Sequence, residues 1–314
     1  MKEIVLIGTG PMALDYTKVL TSLEMKFKVI GRGEESALKF ESQTGIKPIV
    51  GGVDNFLKIN PNQKGVSFII ATGTEVLMPI LKKVLLANAD SVLIEKPAAI
   101  SIEQLLVNED FLKPYSKKVF VAYNRRFYAS VQEAIKLIHE DGGLESMHFE
   151  FTEWAHKIEP LQKAEGVKEN WFFANSTHVV DLAFFIAGKP KDWKAYSLPG
   201  KLSWHSKTKF AGAGITDKGV LFSYNSNWES AGRWGIELLT YERKIILRPM
   251  EEVGVQMKGA INIEKHNYEA SFDHDFKPGL YEQLISFLED KNDTLINLEQ
   301  HIANTLTIYK KIIL

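Results

Sequence analysis

The stretch Ser91-Val92-Leu93-Ile94-Glu95-Lys96-Pro97 begins as an apolar run and breaks off abruptly at two opposite charges and a proline. An apolar run without polar alternation suits a strand buried on both faces in the middle of a parallel sheet. Pro97 cannot donate to a strand ladder and pushes Lys96 toward an extended conformation, so the strand is expected to end there. In open parallel sheets the ligand crevice lies just beyond the carboxyl ends of the strands. Lys96 at that edge is placed to touch a substrate. The alternative is a surface lysine in a turn, with Glu95 as its solvated partner.

Working outward, the same alternation of short apolar runs and helical spacing recurs. Val66 to Ala71 read as a strand that ends in Thr72-Gly73-Thr74, and Leu77, Ile80, Leu81, Val84 and Leu85 mark a helix. Glu34 to Thr44 read as a helix stopped by Gly45, Pro48-Ile49-Val50 as a short strand, and Val119 to Ala122 as the last strand of the sheet. Ser101 with Gln104 has the pattern of a capping box. Repeated strand–helix–strand units imply parallel crossovers. Thr72 and Gly73 fall at a carboxyl edge, as Lys96 does, where a hydroxyl and backbone groups can meet a ligand; a simple helix-cap role for Thr72 is equally open.

At the start of the chain, Ile4 to Ile7 form a strand, Gly8-Thr9-Gly10-Pro11-Met12-Ala13 follow, and Tyr16, Val19, Leu20 and Leu23 continue at helical spacing. This is a strand, a glycine turn and a helix. Gly8 permits the tight turn, Gly10 lets backbone approach a pyrophosphate, and Ala13 is small enough for close helix–strand packing. Pro11 suits the first helical position, and the helix N-terminus offers free N–H groups and a positive dipole end. Phe27 to Ile30 form the second strand, followed by Gly31-Arg32-Gly33. An acid for a ribose 2′-hydroxyl is expected here, roughly twenty residues past the glycine turn. Gly31 takes its place and Arg32 follows. A guanidinium without an acid beside it suits a 2′-phosphate, which predicts NADP(H) over NAD(H). Arg32 stacking on adenine or facing water is the alternative.

Tyr123-Asn124-Arg125-Arg126-Phe127 stands directly after the last strand. Two adjacent arginines at an edge suit a carboxylate or phosphate, or else are salt-bridged structural residues joining two domains. The glycine turn, Ala71-Thr72-Gly73-Thr74-Glu75, Glu95-Lys96-Pro97 and Tyr123 to Phe127 together resemble the Gfo/Idh/MocA oxidoreductases, a family that includes glucose–fructose oxidoreductase and inositol dehydrogenase. The resemblance covers nearly the whole chain. It implies an α/β protein: an N-terminal Rossmann domain with a doubly wound parallel sheet over residues 1–123, and a C-terminal α/β domain with a large, mainly antiparallel open sheet over 124–314. It implies nicotinamide-dependent redox chemistry on sugars or sugar-like polyols, with Lys96 matching the family's substrate-binding and catalytic lysine. The expected cofactor-binding set is Gly8, Thr9, Gly10, Pro11, Met12, Arg32, Ala71, Thr72, Gly73 and Glu95.

In the second half, Ser130 with Glu133 suggests another capping box, and Met147, Phe149 and Phe151 alternate as a half-buried strand. The polar segment from Ala155 to Asn170 reads as a loop. Trp171-Phe172-Phe173-Ala174-Asn175-Ser176-Thr177-His178-Val179-Val180-Asp181 then leads into a helix. His178 and Asp181 match the family's His and following Asp. Ala174 stands where the family usually carries an acid, so Lys96 and His178 must act with water, substrate or a neighbour such as Asn175. His178 is expected in the first turn of its helix, where the dipole favours a neutral ring able to accept a hydroxyl proton. The alternative is a buried histidine bonded to backbone. The substrate-binding set is completed by Asn124, Arg125, Arg126, Trp171 and Asn175. His178 and Asp181 are too few ligands for a metal, so no metal is expected.

Later strands are expected at Trp193 to Ser197, Leu202 to Phe210, Gly219 to Trp228, Trp234 to Thr240 and Lys244 to Leu247. Trp228 and Trp234 suit stacking on a sugar or nucleobase, or else packing sheet against helix or lining a subunit interface. A broad sheet with one uncovered face predicts a homo-oligomer, a dimer or tetramer.

Composition narrows the class. The chain has 314 residues, a formal net charge of −1, 45% hydrophobic and 25% charged residues and no cysteine. This excludes disulfides and thiolate chemistry, gives no footing for nucleic acid or an anionic membrane, and fits a cytoplasmic location. The sequence as given begins with a strand, and neither a signal peptide nor a membrane span is expected. The expected activity is hydride transfer between NADP(H) and a secondary alcohol or ketone of a sugar, nucleotide sugar or polyol. Its rivals are reduction of an imine or lactone-type substrate on the same fold, and a non-catalytic NADP-binding regulator.

Overall fold

The apolar runs become strands because residues that are apolar on both faces can be satisfied only in the middle of a covered sheet. The computed structural model describes residues 3–289, 291 and 293–314. In chain order the strands are β1 Glu3–Ile7, β2 Phe27–Ile30, β3 Val66–Ile70, β4 Ser91–Glu95, β5 Val119–Ala122, β6 Ser146–Glu150, β7 Pro190–Leu198, β8 Lys209–Thr216, β9 Leu221–Asn227, β10 Gly235–Leu239, β11 Arg243–Leu247, β12 Gly254–Met257, β13 Glu264–Lys265 and β14 Ile296–Asn297.

Contacts divide the chain into two compact units, Met1–Tyr123 with Asp275–Ala303, and Asn124–His274 with Asn304–Leu314. The sequence places all of 124–314 together, but Asp275–Ala303 joins the first unit. The helix Leu280–Leu288 buries Leu280, Leu284 and Phe287 there, with the Phe287 ring 6.2 Å from Phe120, and β14 pairs with β5.

The first unit holds a six-stranded sheet in the order β14-β5-β4-β3-β1-β2. All pairs are parallel except β14 with β5. From β1 the chain moves outward to β2 and then returns to β3 on the other side of β1. That reversal, at the carboxyl ends of β1 and β3, is where open α/β sheets bind ligands. Ile4, Leu6, Phe68, Ile69, Val92, Leu93 and Ile94 have no exposed surface. The helix Glu34–Thr44 ends at Gly45, whose N–H bonds the Glu41 carbonyl at 2.8 Å. Ser101 does cap its helix, accepting from the Gln104 N–H at 3.1 Å while Gln104 Oε1 accepts from Ile100 N–H. Pro48 to Val50 is not a strand. Ile49 makes a single parallel bridge to Ile30, after which Gly51 leads straight into the helix Gly52–Ile59.

The second unit holds an eight-stranded sheet in the order β13-β12-β11-β10-β6-β9-β8-β7, antiparallel except for β6 with β9. The α/β class, with a Rossmann-like parallel sheet and a large, mainly antiparallel open sheet, therefore holds. Phe149 on β6 packs edge-on to Phe184 of the helix Thr177–Ala187 at 5.6 Å, and Phe184 meets Phe222 at 5.1 Å. Full burial of such a side chain contributes roughly 1.5–3 kcal/mol, so this cluster anchors helix to sheet.

Two expectations fail here for visible reasons. The strand expected at Leu202 to Phe210 instead runs Lys209–Thr216, through Ala211-Gly212-Ala213-Gly214, whose weak strand propensity hides it. Small residues are needed because the Tyr224 ring lies where a Gly212 Cβ would be, 2.4 Å away. Ser130 is no helix cap: its hydroxyl donates to the Met250 carbonyl at 2.6 Å, and Glu133 faces His266 at 2.9 Å.

Candidate active site

In the first unit the glycine turn is fixed by sterics. Gly8 has φ +130, and a Cβ there would stand 2.1 Å from the Ala71 carbonyl oxygen. No other residue fits, because the ends of β1 and β3 touch at this point. Gly10 is the N-cap of the helix Pro11–Ser22, Pro11 opens that helix, and no side chain caps it. A Cβ on Gly10 would meet nothing within 4 Å, so the turn faces open space. Thr9 and Met12 flank it, half-buried. The Thr72 hydroxyl, beside Ala71, is buried without a hydrogen-bond partner among the described residues. It does not cap the next helix, Thr74–Leu86, whose N-cap is Gly73. An uncapped helix N-terminus, open space before Gly10 and an orphaned hydroxyl together fit the phosphates and ribose of a dinucleotide.

Gly31 is buried, and a Cβ there would lie 3.1 Å from Thr9 Cγ2, so an acid would press on the glycine turn. Arg32 is exposed, with no ion pair to any described residue, and Glu34 and Glu35 follow in the first turn of the next helix. The guanidinium is thus the positive charge at the end of β2.

β4 ends at Glu95, as expected. The Lys96–Pro97 peptide is cis, the Ala98 N–H bonds the Glu95 carbonyl at 3.0 Å, and His301 Nε2 lies 3.0 Å from the Pro97 carbonyl oxygen. Lys96 is half-buried on this anchored turn. Glu95, expected to serve the cofactor, has its carboxylate bonded inward by the Tyr16 hydroxyl at 2.9 Å. Burial raises the Glu95 carboxyl to about 7, although the Tyr16 hydrogen bond and the charges of Lys96 and Lys277 pull it down. Burial, with Glu95 beside it, likewise raises the Tyr16 phenol well above its usual value.

In the second unit, the helix bearing His178 starts earlier than its sequence suggests. Trp171 is already helical, a π turn spans Phe172–Ser176, and Thr177–Ala187 continues as α-helix. His178 is therefore well inside a continuous helical run, and the dipole argument for a neutral ring does not apply. Such π turns gather at functional sites. Trp171 is buried, with Nε1 lacking a partner among the described residues and its ring edge-on to Trp204 at 6.4 Å.

Although Ala174 supplies no acid, its turn is bonded to one. Glu153, buried, accepts hydrogen bonds from Asn175 Nδ2 at 3.0 and 3.1 Å and from Ser176 Oγ at 2.7 Å. Nothing in the sequence pointed to Glu153.

The two adjacent arginines part ways. Arg126 is buried and bidentate on Asp181, with Nε and Nη2 each 2.7 Å from a carboxylate oxygen, and Tyr309 adds a contact at 3.4 Å. Arg126 is thus salt-bridged to Asp181 inside the second unit rather than joining two domains, and with its guanidinium so engaged it is not assigned to substrate. Asn124 is buried on the same short turn. Arg125 lies over the Trp234 ring at 4.7 Å and the Tyr128 ring at 5.8 Å. Burial lowers its guanidinium pKa. The Trp234 ring stands 6.3 Å from His178. Trp228 instead stacks within the packed cluster of Trp204, His205 and Phe210. Among the described residues no group of three or more His, Asp or Glu could hold a metal ion, and no helix is long and apolar enough to cross a membrane.

No protein-family model and no curated protein matches the chain. Solved structures do. Levoglucosan dehydrogenase in complex with NADH and L-sorbose aligns over 99% of this chain and 96% of its own, with a TM-score of 0.75 and 15% identity. An oxidoreductase from Agrobacterium radiobacter, in complex with NAD+, L-tartaric acid and magnesium, gives 0.74 at 14% identity over 99% and 96%. The WlbA dehydrogenase from Bordetella pertussis, in complex with NADH and UDP-GlcNAcA, gives 0.69 at 16% identity over 99% and 96%. The chain has the fold of these dehydrogenases and oxidoreductases. At such identities the likeness establishes the fold alone.

Proposed function

We propose that the chain is an NAD(P)-dependent oxidoreductase that moves a hydride between a nicotinamide cofactor and a secondary alcohol, or its ketone, on a sugar, nucleotide sugar or polyol. NADP(H) is favoured over NAD(H). The observation that carries this reading is the glycine turn at the reversal of strand order, with Gly8 against Ala71 and the Thr72 hydroxyl without a partner among the described residues. The ligands of the structural neighbours, NADH with L-sorbose and NADH with UDP-GlcNAcA, are of the class proposed.

The first unit binds the nucleotide: Gly8, Thr9, Gly10, Pro11 and Met12 hold the pyrophosphate, Ala71, Thr72 and Gly73 the adjoining ribose, and Arg32 the 2′-phosphate. When bound, the cofactor supplies the hydride chemistry. The Lys96 ammonium hydrogen-bonds the reacting oxygen and stabilises negative charge as it develops there. Glu95 and Tyr16, behind it, hold that turn in place. In the second unit His178 takes up the hydroxyl proton, while Asn124, Arg125, Trp171 and Asn175 shape the substrate side. Glu153 stands in for the acid missing at Ala174. The open face of the antiparallel sheet, with Tyr196, Leu198 and Leu221 exposed, is the proposed surface of a homo-oligomer. A cysteine-free chain fits a cytoplasmic enzyme.

Titration of the protein with NADPH and with NADH, followed by nucleotide fluorescence, tests the reading. Saturable binding with NADPH the tighter ligand is expected. Binding of neither would remove the function, and tighter NADH would reverse the cofactor preference.

A further inference from the structure

Within the second unit, five side chains form an alternating series of rings and cations. Arg233 lies over Trp154 at 4.4 Å and over Trp234 at 5.1 Å. Arg125 lies over that same Trp234 at 4.7 Å and over Tyr128 at 5.8 Å. The five positions are scattered along the chain, from Arg125 to Trp234, and only the fold assembles them. Neither guanidinium makes an ion pair or a side-chain hydrogen bond with any described residue. Arg233 is exposed and its backbone N–H is tied to Glu150 at 3.1 Å, so its side chain projects from a fixed point.

The arrangement is costly as it stands. Two like charges share one indole, and the Arg125 charge is opposed chiefly by burial and least by Arg233, with Tyr128 acting in its favour. Glu153 and Glu251 act on Arg125 only from beyond ion-pair distance. Arg126, one residue on, is held differently, in a buried ion pair with Asp181 at 2.7 Å. Cation–ring contacts position a guanidinium without using its N–H donors, which stay available to a ligand. The shared ring, Trp234, is also the neighbour of His178, at 6.3 Å between ring centres.

We propose that Arg125 and Arg233, held over Trp234 and flanked by Trp154 and Tyr128, form an oxyanion subsite beside His178, so that the substrate is an acidic sugar, carrying a carboxylate or a phosphate ester. The indole offers a flat apolar surface to the sugar ring, and the guanidinium forks bind the oxyanion. The assignment deepens the proposed function and rests on it for the word substrate; the anion-binding geometry does not depend on hydride transfer.

The test is a calorimetric titration of the full chain, with and without NADPH, using D-glucuronate, D-glucose 6-phosphate and D-glucose. Because the nucleotide is titrated separately, failure of the oxidoreductase reading and failure of the subsite are told apart. At least one acid should bind about ten-fold or more tighter than glucose, the scale of a charged hydrogen bond, and the preferred acid identifies carboxylate or phosphate. Arg125→Gln should erase the preference, and Arg233→Gln, at an exposed position that does not carry the fold, should reduce it. Equal binding of all three probes, no binding of either acid, or an acid preference that survives Arg233→Gln unchanged would overturn the proposal.

Discussion

The Arg126 guanidinium grips the Asp181 carboxylate through two hydrogen bonds of 2.7 Å in the interior of the second unit. Removing one partner of a buried pair strands the other charge without water. Arg126→Ala or Asp181→Asn should therefore destabilise the second unit by roughly 3–5 kcal/mol, read from urea unfolding. A loss under about 1 kcal/mol would place the pair among those that contribute little.

Arg32 gives a test of cofactor choice. With no ion-pair partner among the described residues, its guanidinium is placed to pair with a 2′-phosphate. Arg32→Ala should weaken NADPH about ten-fold or more, the worth of a charged hydrogen bond, and leave NADH nearly unchanged. An equal loss for both nucleotides would mean that Arg32 serves the adenine or the fold.

Gly8 and Gly10 should respond oppositely. A Cβ at Gly8 collides with the Ala71 carbonyl at 2.1 Å, whereas one at Gly10 meets nothing. Gly8→Ala should lower the melting temperature and abolish nucleotide binding together. Gly10→Ala should keep the melting temperature and weaken nucleotide binding, because the methyl enters space assigned to the pyrophosphate. Unimpaired binding in Gly10→Ala would move the pyrophosphate elsewhere.

Glu95 predicts a pH dependence of defined sign. Its carboxyl is raised to about 7 in the fold, chiefly by burial. Between the unfolded value and about 7 the native chain holds a proton that the unfolded chain has released. This contribution is thus full at low pH and lost as pH rises through about 7. Glu95→Gln, which stays neutral, should gain stability relative to the parent as pH rises through that window, seen as a widening gap in melting temperature. A gap independent of pH would show that the Glu95 carboxyl titrates alike in the folded and unfolded chain.

Much of the first unit was legible because its signals are local. An apolar run, a glycine turn and a helix lie consecutively from Ile4 to Leu23, and the stop at Gly45 and the cap at Ser101 obey short-range rules. What escaped depends on residues distant in sequence. The strand expected at Pro48 to Val50 shrinks to one bridge at Ile49 because glycines follow at once. β8 was obscured by Gly212, which is chosen for the Tyr224 ring across the sheet rather than for strand propensity. The adjacent arginines could not be told apart until Asp181, on another helix, claimed Arg126 and left Arg125 against Trp234. Glu153 was invisible because Asn175 and Ser176 reach it only through a π turn that no sequence period signals.

The most direct test of hydride transfer at Lys96 is absorbance in the reduced-nicotinamide band. Protein and NADP+ would be mixed with neutral sugars, sugar acids, nucleotide sugars and polyols, using the parent chain and Lys96→Met. The account predicts that absorbance grows with at least one substrate in the parent, that Lys96→Met abolishes this growth, and that both bind the cofactor alike. Full turnover in Lys96→Met, or a parent that binds the nucleotide tightly and reduces none of it with any substrate, would contradict it; the second result is the behaviour of a nucleotide-binding regulator.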